Sequence, residues 1–304
     1  MHPAPSIIVF TTLSGLGYGL AALLGLGLLD PAALSTKVAH VLALAMIAGG
    51  LLSSTLHLGN PQRAWRALSQ WRSSWLSREG VLAIATFVPL AVSAWACLFD
   101  DRYLPVAGIA GAILAAVTVY CTGMIYASLK SIDAWHTPLT PACYLLFAAA
   151  AGASMGCFFA IAADQPSSGL ALIAILLIAA AWAVKWAWWQ RLRSLDATST
   201  PESATGLGAI GRVRLFERPH VNDNYLTREM GYAVARKHAA KLSRLAVING
   251  GLVPALLTLL AIAAGAGWQT AVLQLLSVLL YVAGIGVERW LFFAEARHAV
   301  MNYY

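Results

Sequence analysis

Apolar residues fall along this chain in eight long blocks with polar breaks between them, at about 6–28, 34–58, 81–99, 105–128, 141–163, 168–190, 244–265 and 269–290. Blocks of about 18 residues or more can cross a hydrocarbon core of roughly 30 Å as helices. Helices are the expected form because each satisfies its own backbone hydrogen bonds in lipid. The pattern predicts an all-α integral membrane protein of eight transmembrane helices. They would form a single transmembrane domain of two four-helix halves, about 1–128 and 129–304, with a loop at 191–243.

The breaks alternate in character. Asp30-Pro31, Asp100-Asp101, Asp164-Gln165-Pro166 and Gly265-Ala266-Gly267 make four short odd-numbered turns, which carry only Lys37 and Arg102 as basic residues. The even-numbered connections are longer. Arg63, Arg66, Arg72 and Arg78 lie in the second, Lys130 in the fourth and many more in the sixth. The positive-inside rule then places both termini in the cytoplasm, even with the long sixth connection discounted. The first block has no Lys or Arg ahead of it and no break resembling a cleavage site, so it reads as a retained span.

Composition agrees: 60% of the 304 residues are apolar and 11% charged, and the mean hydropathy is +0.71. A net charge of +7 could suggest nucleic acid, but the basic residues sit in connections rather than on a soluble face. Their information is topological, and no nucleic-acid partner is expected. Cys97, Cys121, Cys143 and Cys157 lie in or beside spans without CxxC or CxxH spacing, so they read as buried spectator thiols and no metal site is expected. Lys185 is expected to snorkel to the interface beside Trp186, Trp188 and Trp189. Gly15, Gly17, Gly19, Gly25 and Gly27 offer close helix approach in the first span.

The sixth connection opens with a polar stretch and passes through GLGAIG at 206–211. That string looks like a dinucleotide loop but lacks a preceding strand and a βαβ context. Arg212, Arg214 and Arg218 suit a docking surface for a soluble partner, with anionic lipid as the plainer alternative. A helix over about 228–245 is expected to run into the seventh span.

The richest chemistry lies between spans two and three, in HLGNPQRAWRALSQWRSSWLSREG. His57 closes one span and Glu79 opens the next, with Arg78 beside it. An imidazole, a carboxylate for proton exchange and a cation are groups suited to a quinone; an interfacial ion pair is the plainer reading. Trp65, Trp71 and Trp75 could wall such a site or float at headgroup level. Arg63, Trp65, Arg66 and Arg72 suit partner contact. After the fourth span, Tyr126 reaches toward the same pocket, and His136 is either a second polar wall or a cap near the fifth span. His40, His57 and His136 make a poor axial pair for an intramembrane haem, because His40 lies at the other end and the rest sit at span boundaries.

HLGNPQRAW and SWLSRE around the second connection, MIYASLK and AWHTP after the fourth span, and the ERWLFFAEARH ending resemble the membrane anchor subunits of dimethyl sulfoxide reductase-type molybdoenzymes. The likeness covers essentially the whole chain. NYLTREMGYAVARKHAAKL in the sixth connection looks more like the sulfite dehydrogenase branch. The resemblance implies a multi-pass protein of a bacterial cytoplasmic membrane, itself non-catalytic, in a three-subunit complex. A molybdopterin catalytic subunit and an iron-sulfur subunit would carry those cofactors. The anchor would bind quinone (ubiquinone or menaquinone) without haem, with His57 and Glu79 matching the family's histidine and acidic residue. Electrons would pass from sulfite to quinone; the reverse flow, from quinol to a sulfoxide or N-oxide, is the alternative. A transporter of four-span repeats and a plain tether are rivals of another class.

Overall fold

The structure is a computed structural model that describes residues 3–56, 60–195, 199–214, 216–217, 222, 234–265 and 267–302. It is all-helical among these residues, and eight helices are long and apolar enough to cross a membrane. They are α1 (Pro5–Gly25), α2 (Leu34–Thr55), α3 (Trp75–Asp100), α4 (Pro105–Ala127), α5 (Leu139–Ile161), α6 (Ser168–Arg193), α7 and α8 (Trp268–Ala294). Helix α7 comprises Val234–Val247, a π-helical segment Ile248–Leu252, and Val253–Ala264. The expected run of helix from the sixth connection into the seventh span is present from Val234 onward. The second connection, expected as a loop, contains a 3-10 helix at Pro61–Leu68.

Local chemistry explains the boundaries. Proline stands in the first turn of α1 and α4, where its missing N–H costs nothing. Ser74 caps α3 by accepting from the Ser77 amide at 3.4 Å, so α3 begins at Trp75 rather than near 81. Asp101 ends α3 in the left-handed region at φ 52°, held by Lys37 across the turn.

Helix α1 is the hub, packing on α2, α4, α5 and α8. Gly19 of α1 meets Gly152 of α5 so closely that a Cβ on either would overlap the facing backbone carbonyl. Gly25 and Gly108 do the same for α1 and α4. Of the glycines expected to serve close approach, Gly15 instead faces open space, and Gly27 makes a left-handed turn under the Tyr103 ring. In α7 the π segment brings Gly250 against Gly284 of α8 and offers its carbonyl to the Trp182 indole at 2.8 Å. Sequential helices alternate in direction. The starts of α3, α5 and α7 therefore share one end of the bundle, the charged end, with the ends of α2, α4, α6 and α8 and with the longer, charge-rich connections.

Candidate functional site at the charged end

Glu79 sits in the second turn of α3, 5% exposed. The early start of α3 turns it inward instead of leaving it at the mouth of the span. Ser77, one face round, bonds the Ala67 carbonyl and ties α3 to the 3-10 helix. The Thr122 hydroxyl of α4 donates to the Glu79 carboxylate. Tyr126 follows Thr122 by one turn and so lies on the same face of α4. Tyr18 of α1, Tyr126 and Tyr144 of α5 are all buried and near enough to feel the Glu79 charge. The Tyr18 hydroxyl is buried without a hydrogen-bond partner among the described residues. The rings of Tyr126 and Tyr144 stack at 5.8 Å, and Trp135, Phe292 and Phe293 close round Tyr126.

Thr122 links Glu79 to the face of α4 that carries Tyr126, whereas Arg78 and His136 turn elsewhere. Arg78 turns outward, donating to the carbonyls of Trp71 and Arg72 at 3.0 and 2.7 Å with its guanidinium over the Trp75 ring. His136 is exposed, its Nδ1 2.6 Å from the Ala127 carbonyl, and Arg191 of α6 grips its carbonyl oxygen at 3.2 Å. His57 lies outside the described residues. Arg63, Trp65, Arg66 and Arg72 are exposed on and after the 3-10 helix, and Arg212 and Arg214 are exposed in the sixth connection, beside Phe216. Arg218 lies outside the described residues. Residues 206–211 follow a short helix, Pro201–Thr205, so no strand leads into that glycine string.

Lys185 does not snorkel. It is 1% exposed, its Nζ 2.7 Å from Glu288 Oε1 and 3.8 Å above the Trp188 ring. Helix α6 continues to Arg193, which leaves Lys185 about two turns inside, where Glu288 rather than headgroup water is the available partner. Trp188 and Trp189 are buried too; of that trio only Trp186 is exposed, at 55%. Arg289 Nε lies 3.5 Å from the other Glu288 oxygen, and its guanidinium rests 3.7 Å over the Tyr144 ring. Glu79, Lys185, Glu288 and Arg289 are the buried charged side chains among the described residues, two of each sign. Tyr144 stands between the Glu79 group and the ion cluster. The sequence signal for the cluster was a Glu-Arg pair inside an apolar run of α8, since charge at membrane depth marks function by default. Tyr18 and Tyr144 had no such signal.

A pocket of about 280 Å³ lies at the opposite end between α5, α6, α7 and α8, lined by Asp164, Gln165 and Thr270 among others. It is remote from Glu79. A second, about 200 Å³, opens at the charged end and is lined by Asp133, Glu295 and Arg297. The four cysteines are buried and free.

The family described as DMSO reductase anchor subunit (DmsC) matches residues 1–294 of the chain. A sulfite dehydrogenase subunit from Allochromatium vinosum is 32% identical over 332 aligned residues, spanning 100% of this chain and 99% of the relative. No solved structure matches.

Proposed function

The chain belongs to the DMSO reductase anchor subunit family, and on that premise we propose that it is the quinone-binding membrane anchor of a three-subunit molybdenum and iron-sulfur oxidoreductase. Electrons pass from sulfite, oxidised by a molybdopterin subunit in the cytoplasm, through an iron-sulfur subunit to the quinone pool. The sulfite direction follows the Allochromatium vinosum relative, which is named as part of a sulfite dehydrogenase. Both termini and the charged end face the cytoplasm of a bacterium, on the arginine count of the connections.

The observation that carries the quinone reading is a buried carboxylate, Glu79, held by Thr122 one turn from Tyr126 on α4, with the Tyr18 hydroxyl buried and unpartnered among the described residues. An unpaired buried donor costs about 1–3 kcal/mol unless something accepts from it. A quinone carbonyl is such an acceptor, so the residues present fit that group. Tyr18 and Tyr126 would hold the ring oxygen, and His57 from the neighbouring helix end would complete the wall. When bound, quinone takes up the electrons that the partner's clusters deliver. Glu79 exchanges the accompanying protons, with Thr122 fixing which oxygen is free to do so. The aromatic packing of Trp135, Phe292 and Phe293 behind Tyr126 excludes water. Arg63, Trp65, Arg66, Arg72, Arg212, Arg214 and Arg218 receive the iron-sulfur subunit.

The test is Glu79→Gln in the whole complex. Loss of a positioned proton-transfer group lowers quinone-linked turnover by about 10²-fold or more. Dye-linked sulfite oxidation, which bypasses the membrane subunit, is unchanged. Full quinone turnover in the variant removes the assignment.

A further inference from the structure

The pocket of about 280 Å³ at the end opposite the charged one is set between α5, α6, α7 and α8, and the site at Glu79 makes no use of it. Its lining is divided. Asp164, Gln165, Ser168 and Thr270 belong to the turns and first helical residues of that end, whereas Ile161, Ala171, Ala261 and Ile262 supply an apolar wall. Thr258, fully buried, also lines it, and α7 runs on from there to Ala264, so the pocket reaches about 9 Å along the helix axis. Ile262 is exposed on an apolar helix, which opens the pocket toward lipid. Exposed Trp268 at the start of α8 marks the headgroup level at its mouth.

Two polar groups at the mouth are held in place and left without partners among the described residues. The Gln165 side chain is fixed by its oxygen, which accepts from the Asp30 amide at 3.2 Å, and its Nε2 is buried and unpaired. Such a donor calls for an acceptor oxygen. Asp164 stands in the left-handed region at φ 54° in the turn after α5, with an exposed carboxylate that no cation meets. The basic residues of this end are engaged elsewhere. Lys37 pairs with Asp101 at 2.5 Å, and Arg102 lines a separate crevice beside Tyr103. No Lys or Arg lines the pocket among the described residues. An anionic ligand would therefore meet Asp164 with nothing to offset the repulsion. A ligand bearing both a cation and an acceptor oxygen satisfies Asp164 and Gln165 together, and the apolar wall accepts a hydrocarbon chain.

We propose that this pocket is a binding site for a zwitterionic phospholipid with an ammonium headgroup, which bridges α5 and α6 to α7 and α8 at the end remote from Glu79. The ammonium pairs with Asp164. The phosphate accepts from the Gln165 amide, and α6, which starts at Ser168 without a side-chain cap, adds its first free amides. The first acyl carbons lie along Ile161, Ala171, Ala261 and Ile262. An anionic phospholipid shares the phosphate and the chains but brings no cation to Asp164. A quinone offers acceptor oxygens and leaves the same carboxylate unpaired. The proposal stands apart from the quinone reading and survives its failure.

The experiment places the full chain in nanodiscs of equal parts phosphatidylethanolamine and phosphatidylglycerol, releases it into mild detergent and counts the retained lipids by native mass spectrometry. Wild type is expected to keep one phosphatidylethanolamine in preference to phosphatidylglycerol by about tenfold, the worth of one charge-assisted hydrogen bond. Asp164→Asn removes the charge and keeps the turn, since asparagine is at home in the left-handed region, and it should abolish the preference. Gln165→Glu keeps the acceptor for the Asp30 amide but loses the donor, and should lower retention of both lipids. Ala261→Phe fills the apolar wall and should displace the bound lipid. Equal retention of the two lipids by wild type means loosely held bilayer lipid only and overturns the site, as does a preference for phosphatidylglycerol or one that persists in Asp164→Asn. Release of a quinone rather than a phospholipid by Ala261→Phe also overturns it. Should Ala261→Phe fail to fold, the two variants at the mouth decide, because neither alters the packing of the helices.

Discussion

Lys185 and Glu288 illustrate how a residue read alone misleads. A lysine near the end of an apolar run reads as an interfacial anchor, because its stem can carry the amine to water. In the bundle the amine meets Glu288 at 2.7 Å instead. Removing one member of a buried pair leaves the other uncompensated, at a cost of about 3–5 kcal/mol, whereas replacing both by apolar groups of similar volume is far less damaging. Glu288→Leu is therefore expected to lower the melting temperature and yield of the detergent-solubilised protein sharply. Adding Lys185→Met to it should recover only the share due to the unpaired amine, since Arg289 still lacks its carboxylate. Thermal unfolding of the two single variants and the double variant measures this, and purely additive losses contradict direct pairing. Glu79 was legible in the sequence, as a lone acid at a span edge. Glu288 and Arg289 were visible as charges in an apolar run, but their partners were not, because hydropathy along one helix carries no information about which neighbour it faces. Tyr18 and Tyr144 were not legible at all, since tyrosine is an ordinary residue in a membrane helix.

The number of spans was legible at the level of elements, because hydrocarbon thickness sets a minimum apolar length. The position of α3 along the membrane was not. Its start depends on Ser74 accepting from the Ser77 amide, a polar detail that an apolar window averages away, and six residues of extra helix decide whether Glu79 is inside or outside. Ser74→Ala should therefore cost about 1 kcal/mol through the lost cap. It should also loosen the Glu79 region, seen as faster amide exchange over the first turns of α3. Unchanged exchange there argues against the cap as the device that sets the start. Helix contact gives a sharper test. Gly19 and Gly152 let α1 and α5 touch backbone to backbone, so a side chain on Gly19 must separate the hub helix from α5. Gly19→Ala is expected to abolish stable protein, whereas Gly15→Ala, whose Cβ meets nothing, should be tolerated. Comparable yields of the two variants would refute α1 as a close-packed hub. The π segment in α7 had only its Gly250-Gly251 pair as a sequence signal, which does not distinguish a bulge from simple close packing.

For the whole molecule, basic charge sorts mostly to one end. The buried ions, the exposed arginines of the second connection and the basic sixth connection all lie where α3 starts and α8 ends. An exposed surface of Arg63, Arg66 and Arg72 with Trp65 and Trp71 between them suits an acidic partner approached through long-range attraction. Reversing all three arginines to glutamate should weaken association with the proposed iron-sulfur partner about tenfold or more and flatten its salt dependence. Pull-down at two ionic strengths reads both. The cytoplasmic side proposed for this end rests on the arginine count alone, and chemistry can test it directly. The native cysteines are all buried, so an introduced thiol can be labelled against little background. Ala209 is exposed in the sixth connection and Ala32 in the turn between α1 and α2, at opposite ends. In intact spheroplasts a membrane-impermeant maleimide should label Ala32→Cys and not Ala209→Cys. Permeabilisation should expose Ala209→Cys as well. The opposite pattern would put the charged end outside the cell, out of reach of the cytoplasmic partner proposed for it.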